Sequence, residues 1–222
     1  LQAVNGVVDS PLFKTVFFPV AALVIGGYGF KIVEHDRAMR DAARDKQIAV
    51  IQTITPDLNR AVSSMFASIR EPGDDQLRRA FQEHRDKLYY NRFLVTTTAE
   101  IGPEPGRLRE RYEDLTLEMS LTAGLLQRVG EAPLGEVDAL LGAQLDRLLA
   151  DWGKDQPDLS AETRDTNNPD LEKTVRDWAR LAKEPDLARA RAFYGRAHAL
   201  AVLYFERSVF LLKDALRAAI KS

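Results

Sequence analysis

Cysteine is absent, which removes disulfides, thiolate metal centres and cysteine nucleophiles together. Histidine is scarce, with only His35, His84 and His198. A carboxylate-bridged di-iron bundle needs Glu-x-x-His, which sets both ligands on one helix face. The residues three before these histidines are Ile32, Phe81 and Gly195, so that motif is missing. His84 and His198 fall on apolar faces and read as core-margin residues, while His35, between Glu34 and Asp36, reads as solvated. The His-Glu-x-x-His, P-loop, Gly-x-Gly-x-x-Gly and Gly-x-Ser-x-Gly patterns are missing as well. Charge of one sign is also lacking. Lys and Arg number 31 against 33 Asp and Glu, so there is no basic footprint for nucleic acid. The expectation is a protein that is not an enzyme, with no cofactor, no metal site and no small-molecule substrate.

Long apolar runs are rare too, and the one exception organises the chain. Residues 11–33, PLFKTVFFPVAALVIGGYGFKIV, hold no charge between Lys14 and Lys31. A helix over them would be roughly 34 Å long, against roughly 30 Å of bilayer hydrocarbon. Lys14 and Lys31 can snorkel to the headgroups, and Phe17, Phe18, Tyr28 and Phe30 suit the two interfaces. The pattern predicts one transmembrane helix after a polar lead-in at 1–10. A cleaved secretory signal is the rival, but Gly27-Tyr28-Gly29 is a poor small-x-small cleavage site. Ala22, Gly26 and Gly29 recur at i, i+4 and i+7 with Gly27 beside them, a small-residue face for packing against another membrane helix. Lys31, Arg37, Arg40, Arg44 and Lys46 crowd the C-terminal side of the stretch, which places the body on the cytoplasmic side.

Residues 34–222 predict an extramembrane antiparallel helical bundle, so the expected fold class is all-α. Asp36–Arg40 and Arg37–Asp41 are i,i+4 pairs that carry a helix through 34–54. Pro-Asp-Leu recurs at Pro56, Pro157, Pro169 and Pro185. Proline suits a first helical turn and an acid there complements the dipole. Pro56, Pro169 and Pro185 therefore read as helix starts, with Thr55 and Asn168 as N-caps. Turn chemistry marks 71–74, 102–106 and 130–135, Asp74 reads as a cap, and 153–168 reads as a polar linker. Between these breaks lie stripes of core spacing, such as Leu58–Val62–Met65–Ile69 and Leu134–Val137–Leu141–Leu145–Leu148–Trp152. A third, Leu108–Tyr112–Leu115–Met119, is widened by Leu117, Leu121 and Leu125. The last helix, 185–221, carries Tyr194, His198, Ala201, Phe205, Val209, Leu212, Leu216 and Ile220 on one face, with Phe193, Ala197, Leu200, Tyr204 and Leu211 beside them, and Arg189, Arg196, Arg207, Asp214 and Lys221 on a narrow polar one. It belongs in the middle of the bundle, and Phe205→Asp should unfold the body.

An anchor, a bundle and no reaction fit a single-pass accessory or structural subunit of a bacterial inner membrane. It would pack against and stabilise a larger membrane protein complex, for example a respiratory or photosynthetic one. Its partners would be other membrane protein subunits and the lipid bilayer. Tyr89 and Tyr90, with Arg92 near them, read as partner-facing. The alternative is a ligand-sensing bundle that signals by recruiting a partner, since the sequence shows neither a second span nor an output domain.

Overall fold

The structure is a computed structural model that describes residues 18–99, 107–152 and 169–221, with side chains described over 37–95, 107–152 and 170–220. Its described residues form six helices and no strand: α1 Phe18–Arg70, α2 Asp75–Ala99, α3 Arg107–Gln127, α4 Leu134–Asp151, α5 Pro169–Leu181 and α6 Leu187–Lys221. The all-helical expectation holds. The membrane span expected at 11–33 does not find support: among the described residues no helix is long and apolar enough to cross a membrane. Residues 1–17 lie outside the described ones, as do the expected turn at 102–106 and the linker at 153–168 with Asn168. From Phe18 onward, Pro19, three glycines and Lys31 dilute the apolar run, and Glu34, His35 and Asp36 end it.

The chain divides into two compact units, residues 1–45 and 46–222. In the first, residues 37–42 are exposed, and Asp41 pairs with Arg44 at 3.5 Å rather than with Arg37. The second unit is the bundle. Within it Pro56 does not start a helix; it lies inside α1. A proline in a helix interior costs about 3 kcal/mol and frees one carbonyl. Two features offset that cost. Ile51, Ile54, Leu58, Ala61, Val62, Met65 and Ile69 are buried in one continuous stripe that a break would split. Gln52, whose carbonyl is freed, and Pro56 are both exposed to water. Thr55 does not cap; its hydroxyl donates back to the Ile51 carbonyl at 2.5 Å.

The turns follow their chemistry. Gly73 takes the left-handed conformation, at φ +84°, after α1. The Asp74 carboxylate then accepts the Gln76 and Leu77 amides at 2.7 and 3.3 Å, the expected N-cap of α2. Pro169 opens α5 as expected. Pro185 stands two residues before α6, whose Ala188 and Arg189 amides are capped by Asp186. Between α5 and α6 the Glu184 amide reaches the Ala179 carbonyl and the Lys183 amide reaches Arg180, a Schellman closure with Lys183 at φ +53° where glycine is usual.

Side-chain ties set the directions. Asn91 donates to Asp57 at 3.0 Å, and the Tyr112 hydroxyl to the Leu88 carbonyl at 2.8 Å, joining α1, α2 and α3. Arg111 pairs with Asp214 and Thr122 with Tyr204, so α3 and α6 run antiparallel. Asp138 meets Arg196 and Gln144 meets Tyr204, so α4 runs parallel to α6. The α6 helix packs on α3, α4 and α5, the central position expected of it.

Its orientation about its own axis differs in part from the expectation: Ala201 and the flanking apolar residues are buried, and much of the main face is not. The buried side is Ala190, Phe193, Ala197, Leu200, Tyr204, Ser208 and Leu211, while Phe205, Val209, Leu216 and Ile220 are exposed. At roughly 100° per residue the exposed apolar stripe is centred about a third of a turn from the buried one. The arginine stripe expected in water instead grips neighbours: Arg196 bonds Asp138, Arg207 bonds the Trp152 carbonyl, and Asp214 takes Arg111 at 2.6 Å. Hydrophobicity alone does not reveal these partners, which come from distant parts of the chain.

Candidate functional site

The partner-facing residues expected from the sequence separate in the structure. Tyr89 and Arg92 stand one turn apart on α2 and line a surface groove of about 180 Å³ against α3. Tyr90 lies off this groove, 83% exposed. The opposite wall comes from Tyr112, Glu113, Asp114, Thr116 and Leu117. Ala22, Gly26, Gly27 and Gly29 lie within α1, where side chains fall outside the described residues.

The groove joins apolar surface to a charged rim. Leu88 closes its floor, and the Tyr112 hydroxyl bonds the Leu88 carbonyl beneath it. Burial, with the Asp57 charge behind it, pushes the Tyr112 phenol up, so it stays a neutral donor. Tyr89 lies over the wall and donates to the Ser120 hydroxyl at 3.5 Å. Leu117 and Leu121, one turn apart, are half exposed. They were expected to widen the buried stripe. Leu117 is two residues from both Leu115 and Met119, so it lies roughly 200° around the wheel from them, on the far side of α3. That arithmetic was available in the sequence.

On the rim Arg92 bonds Glu113 at 3.0 Å, with Arg109 at 4.0 Å from the same oxygen. The hydrogen bond and charge of Glu113 raise the Arg92 pKa further. Asp114 beside them has its carboxyl pKa raised, by burial first and then by the carboxylates of Glu118, Glu110 and Glu113. Such a rim can select a partner by charge, and the walls offer it apolar contact.

A second polar cluster lies inside the bundle. Tyr204 on α6 bonds the Thr122 hydroxyl and the Glu118 carbonyl, and accepts from the Gln144 amide at 3.1 Å. The same amide reaches the Glu118 carboxylate at 3.2 Å, and Arg147 closes on it at 2.5 Å. Burial pushes the Tyr204 phenol up. Neither this groove nor the cavity near Trp178 is lined by Glu118, Gln144, Arg147 or Tyr204. The cluster ties α3, α4 and α6 together. The sequence reading missed it, since Tyr204 passes for an apolar position and Gln144 for a surface one.

Two histidines, His84 and His198, have described side chains. His198 stacks on Tyr194 at 5.8 Å and meets Phe66 edge-on at 5.6 Å, while His84 buries its Nδ1 on α2. Among the described residues no group of three or more His, Asp or Glu is placed to hold a metal ion. No protein-family model matches the sequence, and no curated protein and no solved structure shows significant similarity to it.

Proposed function

We propose that this chain is a non-catalytic accessory subunit whose helical body packs against a larger membrane protein complex and stabilises it. The observation that carries the reading is the groove between α2 and α3, where Tyr89 and Leu117 expose apolar surface beside the Arg92–Glu113–Asp114 rim. Apolar surface rimmed by charge is characteristic of protein contact sites. Membrane attachment through 11–33 belongs to the proposal and rests on the sequence pattern alone: uncharged residues between two lysines, with Ala22, Gly26 and Gly29 as the side presented to another membrane helix. The proposed location is a bacterial inner membrane with the bundle on its cytoplasmic side.

Leu117→Glu tests the groove. Leu117 is half exposed, so the bundle should melt as before while co-migration with partner subunits on a native gel is lost. Unchanged co-migration would remove the groove from the reading. Gly26→Leu tests the membrane part in the same assay and should weaken association if small residues pack there.

A further inference from the structure

We infer that the cavity beneath the α1–α2 turn is a binding site for a small neutral molecule built on one apolar ring. This site is separate from the α2–α3 groove and does not depend on the accessory-subunit reading. The cavity holds about 140 Å³ and is walled by Met65, Phe81, Ala123, Leu126, Trp178 and Leu181, from α1, α2, α3 and α5. An apolar cavity of roughly 150 Å³ is enough for a benzene ring.

Three observations set the ligand class. First, the indole and hydroxyl hydrogens on the wall are already used. The Trp178 indole N–H donates to the Ile69 carbonyl at 2.8 Å and the Ser68 hydroxyl to the Ser64 carbonyl at 2.8 Å. Two aromatic rings, Phe81 and Trp178, line the space. Second, the mouth disfavours an anion. Glu71 and Asp74 stand there, and the Arg78 guanidinium is engaged by Asp75. The Gln127 amide, which makes no hydrogen bond among the described residues, is left for one neutral polar substituent. Third, Leu181, which lines the cavity, packs against two turns. The Leu181 side chain lies 3.5 Å from where a Cβ on Gly73 would stand, and its carbonyl 3.1 Å from one on Gly130. Both glycines are left-handed, and Leu181 lies against both turns.

The test uses the full chain and 4-fluorophenol, a single ring with one neutral hydroxyl. The protein has two tryptophans, so two indole N–H signals report by NMR. Saturable binding is expected, with the Trp178 signal moving and the Trp152 signal still. Benzoate, an anion of the same size, should bind at least about tenfold more weakly. Ala123→Leu should reduce 4-fluorophenol affinity by at least about tenfold while leaving a cooperative melt at the same or higher temperature. Non-saturable shifts, equal movement of both indoles, or undiminished binding by a folded Ala123→Leu chain would overturn the site. If that variant does not fold, the two indole signals of the parent chain decide alone.

Discussion

In its first turns α6 buries Ala190, Phe193 and Ala197 completely, and the Phe193 ring meets Trp178 edge-on at 5.2 Å. Three turns later Tyr204 is equally buried, but its hydroxyl holds Thr122, Glu118 and Gln144 together. The two regions stabilise the bundle by different rules. At the apolar end, contact is graded by volume: material can be removed or added, and the cavity beside Trp178 shows that packing there is incomplete. At the polar end, the network is either satisfied or costly, because a buried group that loses its partner keeps its desolvation cost. The polar end fixes which faces of α3, α4 and α6 meet.

That contrast can be broken by substitution. Phe193→Ala should have the largest effect, a loss of about 3–5 kcal/mol in denaturant unfolding, since it empties a fully buried aromatic site. A loss below about 1 kcal/mol would show that α6 is not packed on α5 as described. Tyr204→Phe keeps the ring and removes the hydroxyl; the expected loss is about 1–3 kcal/mol. A double-mutant cycle with Gln144→Leu should show coupling between the two, and strict additivity would remove the network as a unit.

Asp114→Asn sharpens the polar side through its pH dependence. The folded-state pKa of Asp114 is raised, so ionising it costs the native state more than the unfolded one. The asparagine variant should therefore melt slightly higher at neutral pH. That gain should disappear as the pH falls below the ordinary carboxylate range, where both states hold the proton. An advantage that persisted in acid would assign the effect to something other than charge. Phe205→Asp is the smallest. Phe205 is 45% exposed, so stability should change by no more than about 0.5 kcal/mol. Unfolding would restore the stripe read from hydrophobicity.

How much of this was legible depends on what each signal measures. Helix existence and the Asp74 and Pro169 starts were readable, because caps and turn residues act locally. Burial of Val137, Leu141 and Leu148 was readable from spacing. Pro56 misled, because a local breaker was outweighed by a buried stripe running through it. The rotation of α6 misled for the opposite reason: Arg196, Arg207 and Asp214 look like a water-facing stripe until Asp138, Trp152 and Arg111 are brought beside them from distant parts of the chain. Of the candidate groove, Tyr89 and Arg92 were legible as an aromatic–basic pair on one side of α2, while Glu113, Asp114 and Leu117 needed α3 placed against it.

The most direct test of the accessory-subunit account is gentle-detergent extraction at native expression, followed by a native gel and mass spectrometry of whatever migrates with this chain. The account predicts a fixed ratio to other membrane subunits inside a large assembly. Migration alone, or as a small homo-oligomer, would contradict it.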